Sequence, residues 1–382
     1  MNVLIVLPSF SYRGGERIFY ALARGLAICG HSVKMLTARV ERQAFSVRKP
    51  VGLIRPSPFV NKLMQNNLIF LLFSLPYLSW LIFKNAEDVD IIDTESGFAL
   101  WASILIGTLR KIPVVWMIFA FETRPFASPF VSKLFSLTVR KIDKFFARRA
   151  NGFTCLAPRI RRAVRKYYGI ENIKVTIPAI DTERFKRPNP AKILDKFNLL
   201  GRKILLLPAF LHPKKNQELA INVLARIIKA FPRVTLVLVG DGPDGKRLKK
   251  LVRKKGLEKN VVFAGVARED KIADFYAASS LVLVCSKVEN EGLSMTALEA
   301  LANGKLPIVS AGAGVAEVLK NKGIDVVVKP SVGAFSQAII SYLRKSKKYE
   351  KMVKKGREWV LQELTLKKFG EHTLEVFDKA LK

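Results

Sequence analysis

The sequence predicts an α/β protein of two domains, each built on a parallel sheet, and three observations indicate this. The chain has 382 residues, 49% of them hydrophobic, which is enough for two cores of ordinary domain size. In both halves, apolar runs typical of buried parallel strands alternate with segments of helical periodicity. Between the halves, residues 177–190 contain three prolines and no periodicity, which is typical of a domain boundary.

Strands and helices follow one another regularly in each half. Six strands are expected in the first half, at residues 2–7, 32–37, 89–93, 114–119, 153–156 and 174–177. The second half has apolar runs at 203–207, from Val234, from Val261, from Leu281, from Pro307 and at 325–328. A helix such as Ile18 to Cys29, ended by Gly30, lies between successive strands. We therefore expect a first domain over residues 1–178, a linker over 179–200, a second domain over 201–355 and a terminal helix over 356–382.

Residues 291–299, Glu-Gly-Leu-Ser-Met-Thr-Ala-Leu-Glu, are the most informative segment of the chain. An apolar strand precedes them and a helical pattern follows, so the loop lies where parallel sheets bind ligands. Gly292 allows close approach of the backbone, and the N–H groups of the helix start attract phosphate. Glu291 and Glu299, about two helical turns apart, flank this anion site. The arrangement suits a ligand with hydroxyls on both sides of a diphosphate, such as a nucleotide sugar.

This segment resembles the E-x7-E signature of retaining glycosyltransferases with the GT-B fold, the family 4 type also called glycosyl transferases group 1. Four other segments resemble the family in order and spacing: the glycine-rich loop at 13–17, the Lys-Asn segment at 214–217, the G-x-G-P turn at 240–243 and the strand at 261–266. The resemblance covers essentially the whole chain. It implies two Rossmann-like domains facing across a cleft, with a C-terminal helix that crosses back to the first domain.

The resemblance also implies roles for individual residues. Lys215 would neutralise the diphosphate, Glu291 would contact the hydroxyls of the donor sugar, and Glu299 would contact the ribose hydroxyls. The remaining positions that would contact the donor or acceptor, mostly through the backbone, are Gly14, Gly15, Asn216, Val266, Gly292 and Leu293. The expected substrate is a UDP- or GDP-linked sugar, and no cofactor or metal is expected. The D-x-D of Asp88-Val89-Asp90 leads directly into a strand, which argues against a metal site there.

Two positions depart from the family pattern. The family usually has Gly-Arg after the strand at 203–207, where this chain has Pro208-Ala209. The family often has a histidine after the strand at 114–118, where this chain has Phe119. The departures remove a cation and a polar group from the expected site, so either reduced activity or an altered donor preference is expected.

The charge of the chain indicates a polyanionic partner. Lys and Arg number 65 against 31 Asp and Glu, which gives a formal net charge of +34. Such an excess favours an anionic membrane surface or a nucleic acid. No nucleic-acid-binding motif is present, so nucleic acid is not the expected partner. The three scattered cysteines, Cys29, Cys155 and Cys285, and a start that runs directly into a strand predict a cytoplasmic protein with reduced thiols and no signal peptide.

Two segments are candidates for the membrane surface. Residues Leu68 to Phe83 contain no charge but are shorter than the ~20 residues of a spanning helix, and Pro76 interrupts them. An internal core helix and a monotopic segment in the membrane interface are both open, and a full span is the least favoured of the three. The run Arg140 to Lys166 contains ten basic residues and one acid, interleaved with aromatic residues, and is expected to bind anionic lipid.

The combined prediction is a retaining, metal-independent glycosyltransferase at the inner face of the cell membrane. It would move a sugar from a nucleotide donor to a lipid-linked or phospholipid acceptor and contribute to the cell envelope. A catalytically weakened GT-B binding or scaffold subunit is the main alternative, followed by a nucleic-acid-binding protein and a sugar-nucleotide epimerase.

Overall fold

The computed structural model describes residues 1–11, 14–41, 47, 49–119, 139, 141–268, 271–287 and 292–382. The chain forms two units: Met1–Ala179 together with Leu364–Lys382, and Ile180–Glu363. Each unit contains one sheet in which every strand pair is parallel, so the predicted α/β class with parallel sheets is confirmed.

The sheet of the first unit has the order β3-β2-β1-β4-β5-β6-β7. Its strands are β1 Asn2–Leu7, β2 Ser32–Thr37, β3 Gly52–Ile54, β4 Ile91–Thr94, β5 Val114–Ile118, β6 Gly152–Cys155 and β7 Lys174–Val175. The sequence did not predict β3, which has three residues and no fully buried side chain, so it lacks the apolar run that marks the other strands. The chain moves outward from β1 to β3 and then returns to the other side of β1 with β4.

The helices of this unit connect its strands, and one more ends the chain. They are α1 Gly14–Ile28, α2 Pro58–Met64, α3 Asn67–Lys84, α4 Phe98–Arg110, α5 with the described residues 141–147, α6 Pro158–Tyr168 and the last helix, α15 Leu366–Ala380. Helix α1 forms because Ile18, Leu22 and Leu26 recur every four residues and are buried on one face. Gly30 follows with φ 88°, a conformation that glycine adopts readily.

The C-terminal helix α15 belongs to the first unit. Thr365 begins it by accepting a hydrogen bond from the Lys368 amide at 3.2 Å. An ion pair between Lys174 and Glu375 joins it to β7. The chain leaves the second unit between residues 363 and 364, whereas the expected boundary at 355/356 falls inside the preceding helix.

The second unit has the strand order β10-β9-β8-β11-β12-β13. Its strands are β8 Lys203–Pro208, β9 Val234–Val239, β10 Val261–Gly265, β11 Leu281–Val284, β12 Leu306–Ser310 and β13 Val327–Val328. Its helices are α7 Pro190–Lys196, α8 Gln217–Ile227, α9 Gly245–Lys254, α10 Ile272–Ala278, α11 Met295–Ala302, α12 Ala316–Asn321, α13 Val332–Arg344 and α14 Lys347–Glu363. Short 3-10 turns lie at Thr182–Phe185 and Pro213–Lys215.

Residues 180–200, expected as part of a linker, are an integral part of the second unit. Ile193 of α7 and the following Leu199 are buried in one apolar cluster with Leu206 and Val237 of the sheet. Asp274 of α10 accepts a hydrogen bond from the Asn189 amide at 2.6 Å. Ile193 and Leu199 were not recognised as core residues from the sequence, because they lie among turn residues. They reach the apolar cluster only through tertiary contacts.

Helix α3 is a surface helix of the first unit. It has 18 residues and is the only helix in the described part of the chain that is long and apolar enough to cross a membrane, with 22% of its residues buried. Asn66 begins it by accepting hydrogen bonds from the Leu68 and Ile69 amides. Five of its large apolar side chains are exposed, and Leu78, Leu81 and Ile82 are buried, so the helix packs on the unit with one side rather than forming a fully internal core helix.

Candidate functional site

The strand order of the second unit creates a switch point between β8 and β11. From β8 the chain proceeds outward to β9 and β10, and then continues on the opposite side of β8 with β11. Open parallel sheets bind ligands beyond the carboxyl ends of the strands at such a point, because the connecting helices diverge there. Lys215 follows β8 and Gly292 follows β11, so both predicted segments flank this position. We call this carboxyl edge of the second sheet the donor edge, after the nucleotide-sugar donor that the sequence resemblance implies.

The segment after β8 forms a short, well-defined turn. The Phe210 and His212 rings stack with centroids 6.1 Å apart, and the ring Nδ1 of His212 accepts a hydrogen bond from the Lys214 amide at 3.2 Å. Lys215 ends the 3-10 turn, and Asn216 adopts the left-handed conformation with φ 53° before α8 begins. Asparagine tolerates this conformation better than most residues, which explains its place at the bend.

Two hydrogen bonds connect the segments on either side of the switch point. The Lys287 amide donates to the Lys214 carbonyl at 2.9 Å. The Thr296 hydroxyl, in the first turn of α11, donates to the Pro208 carbonyl at 3.2 Å. The loop of β8 and the start of α11 are therefore fixed relative to each other, which brings Lys215 and residues 292–299 to one edge.

The G-x-G-P turn after β9 packs against the same loop. Gly240 has φ 142° and Gly242 has φ 156°, and a Cβ added at either would lie 2.9 Å from the carbonyl carbon of Ala209 or Leu211, respectively. The Leu211 amide also donates to the Asp241 carbonyl at 2.9 Å. The two glycines therefore permit a close backbone approach that positions the loop carrying Lys215.

Glu299 lies in α11 with both carboxylate oxygens engaged. The Tyr276 hydroxyl donates to Oε2 at 2.7 Å, and the Arg184 guanidinium lies 3.4 Å from Oε1. Neither Tyr276 nor Arg184 belongs to a motif that the sequence reveals. Tyr276 has the pattern of an ordinary core aromatic in α10, and Arg184 is 115 residues away from its partner, so no local signal marks either.

The other residues predicted to contact the donor differ in their exposure to solvent. Val266, directly after β10, is 50% exposed, whereas Leu293 is buried. Gly292 is partly exposed. Ser294 begins α11, but its side chain does not cap the helix. The amides in the first turn of a helix have no hydrogen-bond partner within the helix, so those of α11 are suited to bind a ligand. Glu291 lies outside the described residues.

Basic residues act on Asp244, which lies just after the G-x-G-P turn. Hydrogen bonds from Arg247 lower the pKa of Asp244, and the charges of His212 and Lys287 lower it further. Arg247 contacts Asp244 Oδ1 at 2.6 Å and Glu218 Oε2 at 2.6 Å. Ala209 stands where the family usually has the arginine of its Gly-Arg pair. The basic residues that follow it in the chain are His212, Lys214 and Lys215.

The first unit has its own switch point, between β1 and β4. Gly14 and Gly15 follow β1 and begin α1, and a Cβ added at Gly15 would lie 3.2 Å from the Phe119 ring at the end of β5. Glu16 accepts a hydrogen bond from the Ser11 hydroxyl at 2.7 Å. Burial, and then the nearby charge of Glu16, raise the pKa of Glu95, just after β4, to about 8. Phe119 and Gly15 therefore meet at the carboxyl edge of this sheet, and Gly14 lies beside them in the chain.

The D-x-D lies at the opposite edge. Asp90 precedes β4 and accepts a hydrogen bond from the Asn2 amide at 2.6 Å, so its carboxylate has a structural partner at the amino end of the sheet. In the described part of the chain, no group of three His, Cys, Asp or Glu side chains is arranged to hold a metal ion.

Two Rossmann-like units with switch points on both sheets, and a last helix returning to the first unit, define the GT-B class. Solved structures agree: Anabaena HepE in complex with UDP and glucose superposes with a TM-score of 0.77, covering 99% of both chains at 19% identity. Residues 12–184 match the family Glycosyltransferase Family 4, and residues 191–359 match Glycosyl transferases group 1. These two matches, one in each half of the chain, confirm the resemblance to the group 1 glycosyl transferases that the sequence indicated.

Curated relatives match about half of the chain. A GDP-mannose-dependent alpha-(1-6)-phosphatidylinositol monomannoside mannosyltransferase of Mycolicibacterium smegmatis is 30% identical over 194 residues, 48% of this chain and 50% of that protein. Alpha-monoglucosyldiacylglycerol synthase of Streptococcus pneumoniae is 26% identical over 234 residues, 59% of this chain and 52% of that protein. The chain thus spans about half the length of the curated relatives that it matches.

Proposed function

We propose that this protein transfers a sugar from a nucleotide sugar to a lipid-linked or phospholipid acceptor, at the inner face of the cell membrane. The observation that carries the proposal is the donor edge, where the Lys215 turn, the start of α11 and the constrained Glu299 carboxylate flank one switch point. The two family matches support the reaction class. The names of the two relatives, which act on phosphatidylinositol monomannoside or make glucosyldiacylglycerol, support the acceptor class.

The donor edge offers complementary chemistry for the two parts of a nucleotide diphosphate. Lys215 is the cation that would stabilise charge developing on the diphosphate as the glycosidic bond breaks. First-turn amides of α11 would add neutral donors for phosphate oxygens. Glu299 would accept hydrogen bonds from the ribose. We propose that the transfer needs no metal, since these groups supply the charge stabilisation, and that it retains the anomeric configuration, as the family resemblance implies.

The exposed apolar side chains of α2, α3 and α4 support a lipid acceptor. These three helices pack in sequence, α2 on α3 and α3 on α4. Their exposed apolar side chains, which we call the apolar surface, are Phe59, Leu63, Leu68, Leu72, Phe73, Trp80, Phe83, Leu105 and Leu109. A set of this size on neighbouring helices exceeds the scattered apolar exposure of an ordinary soluble surface.

Basic groups border this apolar surface. The Arg110 guanidinium lies 4.0 Å from the centroid of the Phe83 ring, and the Lys84 ammonium lies 5.4 Å from that of Trp80. Further along the chain, within the basic run, Arg149 lies 3.5 Å over the exposed Phe145 ring. Aromatic groups beside cations suit the boundary between acyl chains and anionic headgroups, which supports binding to the cytoplasmic leaflet rather than to a nucleic acid.

A binding or scaffold subunit with weakened catalysis is the second candidate. It is favoured by the Phe119 ring, which packs against Gly15 at the position where the family often has a polar histidine. In that case the protein would bind donor and membrane without turnover.

The test is transfer of radiolabelled sugar into the lipid phase from a panel of UDP- and GDP-sugars, with anionic native lipids as acceptor. Lys215→Ala is expected to lower kcat/KM by about tenfold to hundredfold, because a cation stabilising the leaving diphosphate is lost. Lys250→Ala, which removes an exposed lysine on α9, is the matched control. EDTA is expected to leave the rate within about twofold, since no step requires a divalent ion.

Three outcomes separate the candidates. A lipid product that depends on Lys215 but not on Lys250 supports the transferase. Nucleotide binding and vesicle binding without product favour the weakened subunit. Release of an altered nucleotide sugar without any lipid acceptor would indicate an epimerase instead.

A further inference from the structure

The carboxylate of Glu299 is held from two sides by residues of different elements. Tyr276 of α10 donates its hydroxyl hydrogen to Oε2 at 2.7 Å, and Arg184 of the 3-10 turn Thr182–Phe185 lies 3.4 Å from Oε1. The side chains of Arg184 and Glu299 are each 15% exposed. The glutamate is therefore oriented by protein groups while still reaching solvent.

The hydroxyl of Tyr276 is itself fixed in place. Its side chain is fully buried, and its ring packs edge-to-face on Phe185 with centroids 5.8 Å apart and planes at 86°. Leu206 of β8 and Val282 of β11 belong to the same apolar cluster as Tyr276. The two strands that form the switch point thus anchor the ring whose hydroxyl contacts Glu299.

The remaining acceptor positions of Glu299 define what it can bind. A carboxylate has about four lone-pair positions, and Tyr276 and Arg184 use one on each oxygen. One position per oxygen is left, and both require a hydrogen-bond donor. A pair of adjacent hydroxyls meets this requirement, whereas a phosphate oxygen would be repelled by the carboxylate charge.

We propose that Tyr276 and Arg184 are positioning residues that hold Glu299 in the orientation that receives the ribose diol of the donor. The inference rests on the proposed function, because it takes the ligand of the donor edge to be a nucleoside diphosphate. Glutamate has three rotatable side-chain bonds, and restricting them before the ligand arrives lowers the entropic cost of binding. Tyr276 acts on the ligand only through Glu299.

Calorimetric titration with UDP and GDP, and then with the 2′-deoxy and 3′-deoxy forms of whichever binds more tightly, tests this inference. The wild-type protein is expected to bind the ribonucleotide about tenfold more tightly than each deoxy form, since each lost hydroxyl removes one charge-assisted hydrogen bond. In Tyr276→Phe this preference is expected to fall to about twofold, with little change in the affinity for the deoxy forms.

Two further variants complete the experiment. Tyr342→Phe removes a hydroxyl that donates to the Ser280 carbonyl at 2.9 Å in the same unit, and it is expected to keep the wild-type preference. Arg184→Gln removes the second partner of Glu299 without altering a fully buried ring, and it is expected to reduce the preference as Tyr276→Phe does. Circular dichroism melting confirms that each variant is folded.

The outcomes distinguish the inference from the function on which it rests. A folded Tyr276→Phe or Arg184→Gln that keeps the full ribose preference overturns the positioning role and leaves the transferase intact. A wild-type protein that binds a nucleotide without any ribose preference also overturns the inference. Failure of the wild-type protein to bind either nucleotide overturns the proposed function together with it.

Discussion

Gly25 of α1 lies directly against the backbone of α15 at Leu366. A Cβ added at Gly25 would overlap the Leu366 carbonyl oxygen and lie 3.1 Å from the Gly370 nitrogen, and a Cβ added at Gly370 would lie 2.7 Å from the Gly25 carbonyl carbon. The two glycines therefore allow the first and last helices of the chain to touch backbone to backbone. This contact attaches the C-terminal helix to the first unit.

Gly25→Ala is therefore expected to destabilise the first unit, by about 1–3 kcal/mol, because the added methyl has no space and the helices must separate. Urea unfolding followed by tryptophan fluorescence measures the change. Gly333→Ala is the matched control, since that glycine is also helical but its nearest neighbour lies 3.9 Å from the added Cβ. Equal effects of the two substitutions would contradict the packing explanation.

Gly240→Ala is expected to weaken nucleotide binding as well as stability. The added methyl would strike the Ala209 backbone and displace the loop that carries Lys215, in addition to the strain of φ 142°. Gly256→Ala has the same kind of positive φ, 63°, but an open surrounding, so it is expected to cost about 1 kcal/mol and leave nucleotide affinity unchanged. Calorimetry with UDP or GDP and thermal melting separate the two effects. A Gly240→Ala protein with unchanged affinity would show that the turn does not position the donor edge.

Glu95 is expected to make the first unit less stable as pH rises from about 5 to about 8. The pKa of its carboxyl group is raised from 4.5 to about 8 in the folded protein, mainly by burial and also by the charge of Glu16. Between these values the folded state holds more protons than the unfolded state, so the free energy of unfolding decreases with pH and levels off above about 8.

Glu95→Gln removes this titration, and urea unfolding at pH 5, 7 and 9 tests it. The variant is expected to gain stability relative to the wild-type protein as pH increases. Burial also raises the pKa of Asp143, to about 6. Because Asp143 is present in both proteins, its contribution cancels in the difference between their free energies of unfolding. Parallel pH profiles for variant and wild type would show that Glu95 titrates normally.

The apolar surface is expected to control membrane binding. Leu72→Asp with Phe73→Asp places two charges on exposed positions of α3 and is expected to reduce sedimentation with phosphatidylglycerol vesicles about tenfold or more, because charged groups enter acyl chains at high cost. Leu200→Asp, an equally exposed leucine of the second unit, is the control. If the α3 double variant binds vesicles as well as the wild-type protein does, and only high salt abolishes binding, the interaction depends on charge alone.

Much of the fold was predictable because its determinants are local. Twelve of the thirteen described strands overlap the strands predicted between residues 2 and 328, and β3 was missed because it is short and only partly buried. Residues 179–200 were misjudged as a linker, since Ile193 and Leu199 become core residues only when the strands are assembled. Among the predicted site residues, Lys215 and Glu299 were singled out by motifs that are contiguous in sequence.

The sequence by itself determined the parallel α/β class, the family and the segments that flank the donor edge, because these depend on residue spacing within a few dozen positions. The tertiary structure decided which groups act together. Tyr276 and Arg184 reach Glu299 from 23 and 115 residues away, and Gly25 meets Leu366 across almost the whole chain. Such contacts depend on how separate elements pack, and neither periodicity nor local propensity contains that information.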